Sequence, residues 1–358
     1  MNPFPIHSLC RPGGIPGEEG VPELVETHIS WVLVGERSVF KIKKPLQYSF
    51  LDFSTLEKRR HYCEREVELN RRLTEGIYLG VVPVWGVDGE WSLEESRGGI
   101  VEYAVWMHKM EPSRRMDLLA RWDRLRESEI DALAELLGRF HRGAELAAEG
   151  DVRGDAAVMR DLFNDLGQEK EVLGAGLGSW AAEVIDRAMS LSDRFLRANG
   201  ALLAGRRKAG LYRDGHGDLH CRNIFLLERP QVFDCIEFND GLRQVDVLND
   251  IAFLCMDLDS LGCAGLAERF VSGYCREFPG VMGGDERRLL NYYKAYRANI
   301  RAKINSLRAR SAVSQEEKRV SLEAAAGYLR LMDEYWRLTG VSGRDDGSQR
   351  LSVGRRVV

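Results

Sequence analysis

One stretch of the chain, HGDLHCRNIFLLERPQVFDCIEFN at residues 216–239, concentrates side chains that could do chemistry. His216-Gly217-Asp218 is followed by Asn223, five positions after the aspartate, and then by two short apolar runs, the second carrying Asp234. Moving a phosphoryl group onto a hydroxyl requires an acceptor for the hydroxyl proton and oxygen ligands that hold magnesium on the nucleotide phosphates. An Asp and an Asn on one loop, with a second Asp on the adjoining hairpin, can supply all three. A lone H-G-D would read as a tight turn with a solvated carboxylate. The Asn and the second Asp at these spacings favour a site.

A second set lies near the N-terminus. SVFKIKKP places Lys41 and Lys43 on one face of a strand, because strand side chains alternate with period two. In CEREVELNRRL, Glu66 shares a helix face with Cys63, Asn70 and Leu73, and a carboxylate on a largely buried face wants a cation. A lysine–glutamate pair is therefore expected. Lys41, directly after the apolar Val39-Phe40, is preferred over Lys43, with the register open by one repeat. The competing reading makes KIKK a solvated basic edge and Glu66 one of several surface acids beside Glu64 and Glu68. Other features are set aside: His141 as a satisfied core histidine, Arg297 and Arg301 at helical spacing as a solvated face with an anionic-acceptor pocket as the minority reading. No G-x-x-x-x-G-K run followed by Ser or Thr occurs.

These residues need elements to position them. Residues 1–20 are rich in Gly and Pro and predict an irregular lead-in. ISWVLV and SVFKIK, separated by Gly35-Glu36-Arg37, predict a hairpin. Helical spacing over 54–74, with Ser54 able to cap and Glu57 three residues on, predicts one helix. Strand-like runs follow at VVPVWGV, WSLEE and GIVEYAVWM, so residues 21–107 read as a small lobe of five strands and one helix. Residues 108–113 read as a connector, 114–340 as a mainly helical lobe broken by loop and short β-runs near 211–236, and 341–358 as a loose tail.

Composition narrows the partners. A net charge of -4 with 30% charged residues gives no basic footprint, so no nucleic-acid partner is expected. No apolar run approaches the roughly 20 residues that cross a bilayer, and the start lacks a basic region leading into an apolar stretch. Seven scattered cysteines without a C-x-x-C pair read as reduced thiols. A cytoplasmic protein with no membrane partner is expected; the oligomeric state is open.

The 216–239 segment resembles the catalytic and metal-binding loops of aminoglycoside phosphotransferases, choline kinases and related small-molecule kinases, cousins of the protein kinases whose loop reads H-R-D. The resemblance implies that Asp218 is the catalytic base, Asn223 a magnesium ligand with a part in catalysis, and Asp234 the second metal-binding acid. His220 and Cys221 fill variable positions, and Cys-Ile-Glu follows Asp234 where protein kinases have Phe-Gly. Arg243, Asp246 and Asp250 in GLRQVDVLNDIAFL match the family's R-x-x-D-x-x-x-D run. Asp246 is read as a helix cap, Asp250 as a support of the catalytic loop beside His216. The resemblance further implies that the lysine (Lys41 or Lys43) paired with Glu66 holds the nucleotide phosphates. VEYAVWMHKMEP resembles the hinge, with Met107 at its entrance and His108, Lys109 and Met110 offering backbone groups to the base. The glycine-rich phosphate loop is absent; Thr27-His28-Ile29-Ser30 stands in its place.

More narrowly, THISWVLV, the run from Lys41 to Leu73 and YLGVVPV look like an uncharacterised bacterial branch of these kinases. Some members of that branch carry a C-terminal P-loop domain; this chain is expected to stop at the helical lobe. The implied fold is α+β, protein-kinase-like and two-lobed. The implied reaction uses Mg2+ and ATP or GTP as phosphoryl donor, with a small-molecule hydroxyl as acceptor: aminoglycoside, choline-like amine, sugar and nucleoside all stay open. A catalytically silent nucleotide-binding regulator and a protein kinase are the rivals. The complete triad of Asp218, Asn223 and Asp234 counts against the first, and the lack of an A-P-E-terminated activation segment against the second.

Overall fold

The computed structural model describes residues 5–147 and 156–341; of the expected tail, everything from residue 342 onward lies outside the described residues. In chain order the first elements are β1 (Glu23–Glu26), β2 (Ser30–Val34), β3 (Ser38–Lys43), a small hairpin of β4 (Gln47–Tyr48) and β5 (Leu51–Asp52), α1 (Leu56–Asn70), β6 (Tyr78–Val87), β7 (Glu90–Ser92) and β8 (Ile100–His108). Six of the strands make one antiparallel sheet in the order β1-β2-β3-β8-β6-β7. The expected hairpin is β2–β3, paired from Ser30 opposite Lys43 to Val34 opposite Val39. ELVE at 23–26 adds a strand that its two acids disguise.

The lead-in is irregular apart from a 3₁₀ turn at Ile6–Leu9, yet it is built into the lobe. Ile6, Leu9 and Ile15 are buried against Trp31, Leu33, Phe40 and Trp91. The Glu18 carboxylate accepts backbone N–H groups of Glu36, Arg37 and Ser38, closing the β2–β3 turn. Helix α1 starts one residue later than Ser54 would allow: the Thr55 hydroxyl accepts Lys58 N–H at 3.3 Å, while Ser54 turns back to Asp52. Its inner face carries Cys63, Glu66, Val67 and Asn70, all buried, and Cys63 and Val67 pack with Tyr78, Val105 and Met107 of β6 and β8.

After β8 come α2 (Met116–Arg121), α3 (Glu127–Gly143), α4 (Ala156–Asn164), α5 (Lys170–Leu177), α6 (Ser179–Lys208), β9 (Tyr212–Asp214), β10 (Ile224–Leu226), β11 (Pro230–Val232), α7 (Asp240–Arg243), β12 (Gln244–Asp246), α8 (Val247–Ser260), α9 (Ala264–Glu277), α10 (Gly284–Ser311) and α11 (Gln315–Leu338). The chain divides into two compact units, Met1–Glu149 with Tyr212–Gly280, and Gly150–Leu211 with Val281–Val358. The first holds the sheet, α1–α3, the short hairpins and α7–α9. Helix α8 is buried from Val247 through Leu258 and is capped by Asp246, whose carboxylate accepts Leu248 N–H at 2.9 Å, the capping role expected of it.

The second unit is helical, with α4–α6 packed among α10 and α11. Phe195 of α6 stacks on Tyr292 of α10 at 4.6 Å between ring centroids, and Phe163 of α4 meets Trp336 of α11 edge-on. Arg297 and Arg301 do not form the solvated face expected of them. Both are buried, Arg301 lying over the Tyr328 ring at 5.5 Å, because α11 covers the face that carries them. Among the described residues no helix is long and apolar enough to cross a membrane.

Candidate active site

Every residue of the sequence-derived site lies in the first unit. Asp218 sits on a turn assembled from behind by Asp250. The two Asp250 oxygens accept the N–H groups of His216 (2.7 Å) and Gly217 (2.9 Å), and His141 Nε2 stands 3.1 Å from the first of them. Burial alone would raise the Asp250 carboxyl. The hydrogen bond to His141 and the one accepted from the His216 N–H hold it well below the usual carboxylate range. Glycine is required at two points. Gly217 has φ 84, and a Cβ on Gly215 would sit 2.5 Å from Asp250. His141 is thus a satisfied core histidine, bonded also to the Tyr274 hydroxyl at 2.8 Å, and at the same time the brace of the brace.

His216 joins the two loops. Its Nδ1 accepts Asp218 N–H at 3.3 Å, so its Nε2 carries the hydrogen donated to the Phe233 carbonyl at 3.0 Å. Burial pushes this imidazole below its ordinary value despite the pull of Asp250 and Asp218, which keeps it in that neutral form. Arg243, fully buried, grips both oxygens of Asp214 at 2.7 and 2.9 Å and donates to the Ile236 carbonyl at 2.7 Å, fastening the strand before the turn to the segment after Asp234. Arg72 adds a bond from the end of α1 to the same Asp214 at 2.7 Å.

Beside this scaffold, Asn223 donates its amide hydrogen to the Asp218 main-chain and side-chain oxygens at 3.1 and 3.2 Å. That leaves the Asn223 carbonyl oxygen as the free end of the amide. The Asp218 side chain is 38% exposed, with His220 Nε2 at 3.4 Å. Asp234 adopts φ 63, the left-handed region that Asp tolerates better than most residues, and its N–H donates to the Tyr78 hydroxyl at 3.3 Å.

The sheet side is held by charge. Lys41 Nζ donates to Glu66 Oε1 at 2.8 Å and to Asp234 Oδ1 at 2.6 Å. Lys43 Nζ, fully buried, donates to Glu66 Oε2 at 2.7 Å and to Glu237. The structure therefore brings both candidate lysines to Glu66, one on each oxygen. Burial works against charge on both amines, but the carboxylates around them, Asp234 and Glu66 for Lys41 and Glu237 and Glu66 for Lys43, win and hold them above the ordinary lysine range. Burial and the Glu66 charge push Glu237 upward against Lys43. Two lysines face three carboxylates, a balance of 2 − 3 = −1, and the outermost acid, Asp234, is 42% exposed. Negative charge thus gathers where a cation from solvent can reach it.

The residues read as a hinge have partners within the protein. Met107 is buried under the sheet, and Met110 packs on the cluster of Tyr78, Val105 and Met107 with Val39 and Phe233 nearby. His108 N–H donates to Ile77 C=O and Lys109 N–H to Arg37 C=O, while the Lys109 ammonium bonds Gly35 C=O at 2.8 Å. The backbone N–H groups of His108 and Lys109 are thus engaged within the small lobe. At the β1–β2 turn, Thr27 Oγ1 accepts Ser30 N–H at 2.9 Å and Ile29 N–H at 3.4 Å, closing the loop on itself.

Sequence reasoning did not single out Glu237, Tyr78, Asp214 or Arg72. Glu237 carried a signal in hindsight, an acid inside the apolar run FDCIEF. Tyr78 carried none.

A curled antiparallel sheet with one long helix, followed by a mainly helical region, defines the two-lobed kinase-like α+β class. Residues 50–289 match the family model described as the phosphotransferase enzyme family, and the chain belongs to that family. Uncharacterized protein Rv2004c of Mycobacterium tuberculosis (strain ATCC 25618 / H37Rv) is 36% identical over 300 residues, which make up 81% of this chain and 56% of that protein. Uncharacterized protein Mb2027c of Mycobacterium bovis matches to the same extent. The chain thus spans little more than half the length of the curated relatives it matches. Among solved structures, choline kinase from Cryptosporidium parvum Iowa II aligns with a TM-score of 0.51 at 12% identity, covering 93% of this chain and 95% of that one. A choline/ethanolamine kinase family protein from Mesorhizobium loti aligns at 0.48 and 14%, covering 93% and 99%.

Proposed function

We propose that this protein transfers the γ-phosphoryl group of a nucleoside triphosphate, ATP or GTP, to a hydroxyl of a small-molecule acceptor. The observation that carries the reading is one continuous set of bonds: Asn223 to Asp218, Phe233 N–H to the Asn223 main-chain carbonyl beside Asp234, and Lys41 to both Asp234 and Glu66. Asp218 accepts and orients the acceptor hydroxyl. Asn223 Oδ1 and the Asp234 carboxylate are hard oxygen donors suited to magnesium. Among the described residues no set of three or more His, Cys, Asp or Glu side chains could hold a metal alone. That suits an ion held by one carboxylate, one amide and the phosphates themselves. Magnesium, when bound, supplies charge neutralisation on the phosphates. Lys41 exchanges Asp234 for a phosphate oxygen while Glu66 keeps its ammonium aimed. The base is assigned to the apolar cluster of Val39, Tyr78, Met107, Met110 and Phe233, within a small lobe at 21–107 joined by the hinge at 108–113 to a larger lobe at 114–340.

The test is thermal stabilisation by ATP and by GTP with and without magnesium, followed by a screen of ATP consumption against pooled metabolites. A magnesium-dependent shift with one nucleotide and consumption with one acceptor pool are the expected results. No shift with either nucleotide would sink the proposal.

A further inference from the structure

The phosphate lysine of this site has a companion that cannot itself meet a phosphate. Lys43 is 0% exposed, and its ammonium lies between Glu66 and Glu237 with the Phe53 ring 4.9 Å away. A buried lysine held by two carboxylates beneath an aromatic ring is a built arrangement. Removing Lys43 leaves Glu237 as an uncompensated charge in a dry place, which is strongly unfavourable.

What the arrangement does follows from its neighbours. Lys41 engages Glu66 through Oε1 alone, which by itself leaves that carboxylate free to rotate. Lys43 takes Oε2 and fixes the plane. At its other end, Glu237 belongs to the four-residue segment that begins with Asp234. Four ties hold that segment to the sheet and α1: the Asp234 carboxylate to Lys41, Asp234 N–H to the Tyr78 hydroxyl at 3.3 Å, Cys235 N–H to the Asn70 side-chain oxygen at 2.9 Å, and Glu237 to Lys43. The first tie must loosen when Asp234 turns to a cation. The two backbone ties are neutral hydrogen bonds. The tie from Glu237 to Lys43 is charged and buried.

We propose that Lys43 and Glu237 are a positioning pair that sets both the Glu66 carboxylate and the Asp234 segment, so that affinity for magnesium-nucleotide depends on two residues touching neither ligand. This deepens the phosphotransfer reading and rests on it. Supporting partners behind metal ligands typically govern metal affinity by about 10–100-fold.

The test is calorimetric titration of the whole protein with ATP in magnesium and with ATP in EDTA, for the parent, Glu237→Gln, Lys43→Met and the double variant. In both singles the magnesium-dependent gain in affinity is expected to fall about tenfold or more, with binding in EDTA changing less. In the double the loss should be no larger than in the worse single, because the two residues act as one unit. A purely structural pair would instead lower thermal stability and leave the magnesium-dependent gain intact. Where a single variant fails to fold, the double, which removes both buried charges together, decides alone. Folded variants with the parent's magnesium-dependent affinity overturn the proposal, as do losses that multiply in the double. A parent that binds no magnesium-nucleotide overturns the phosphotransfer reading first and is told apart by that control.

Discussion

The two halves of the candidate site are held by different physics. The turn carrying Asp218 rests on backbone N–H groups given to Asp250, on a neutral His216 reaching Phe233, and on Arg243 gripping Asp214. Asp250, His216, Arg243 and Asp214 are all buried, which keeps a ligand from competing for them. The sheet half, Lys41 with Glu66 and Asp234, is a chain of opposite charges whose outer end is solvent-accessible. On the proposed reading, a phosphate competes for the lysine and a cation for the aspartate. The difference teaches that the proposed proton acceptor is pre-set, whereas the groups proposed to meet charge are held by placeholders that such ligands would replace.

The comparison breaks hardest at Asp218. Asp218→Asn keeps the shape and can still accept the Asn223 hydrogen bond, but it can no longer take a proton. Turnover is expected to fall about 10²–10⁴-fold, with nucleotide binding little changed, read by rate measurements with an acceptor beside nucleotide-induced thermal shifts. A variant turning over at the parent rate would remove Asp218 from the mechanism.

Next comes the scaffold beneath it. Asp250→Ala strips the buried acceptor from two N–H groups and leaves His141 and Gly217 facing a void. A stability loss on the order of 3 kcal/mol is expected, in the range for breaking a buried, hydrogen-bonded charge. Urea unfolding measures it, and a loss under about 1 kcal/mol, the size of an ordinary substitution, would mean the turn is held by something else.

The charge-held half is probed by Asp234→Asn, chosen because Asn accepts the left-handed backbone at φ 63 that would strain alanine. The protein should stay folded and lose about tenfold or more in magnesium-dependent nucleotide affinity. An undiminished magnesium effect would reassign the metal acid.

The smallest effect is on pH. His216 is held below its ordinary value of 6.5, so the folded state resists a proton that the unfolded chain accepts. Stability contributed by the neutral ring is complete above about pH 6.5 and declines as pH falls below it, by at most about 1.4 kcal/mol per pH unit for one proton. Asp250, held down as well, adds a further loss below its ordinary 3.8. Stability curves of the parent and His216→Asn should therefore converge toward acid pH; parallel curves would mean that His216 is not the titrating group.

Much of this site was legible before any fold was known. Asp218, Asn223 and Asp234 lie within 17 positions of one another along a loop and one tight hairpin, so their proximity is nearly a local property. Glu66 was legible for a similar reason: helical periodicity alone puts it on the face of Cys63 and Asn70, and apolar neighbours mark that face as inward. The sheet's strands followed from alternation, except β1, whose acids hide it, and the lead-in, whose Gly and Pro mask three core residues.

Chain order and residue type by themselves determined the kinase-like class, the catalytic-type loop and the face on which the lysines lie. Only the tertiary structure decided how Lys41 and Lys43 divide Glu66, that Glu237 closes the set, that Tyr78 meets Asp234, and that His141 stands behind Asp250. Local periodicity specifies which way a side chain points from its own element. Which groups it meets depends on strand register and on contacts between residues more than a hundred positions apart, such as Lys43 with Glu237 and His141 with Asp250, and those are set by packing the whole lobe at once.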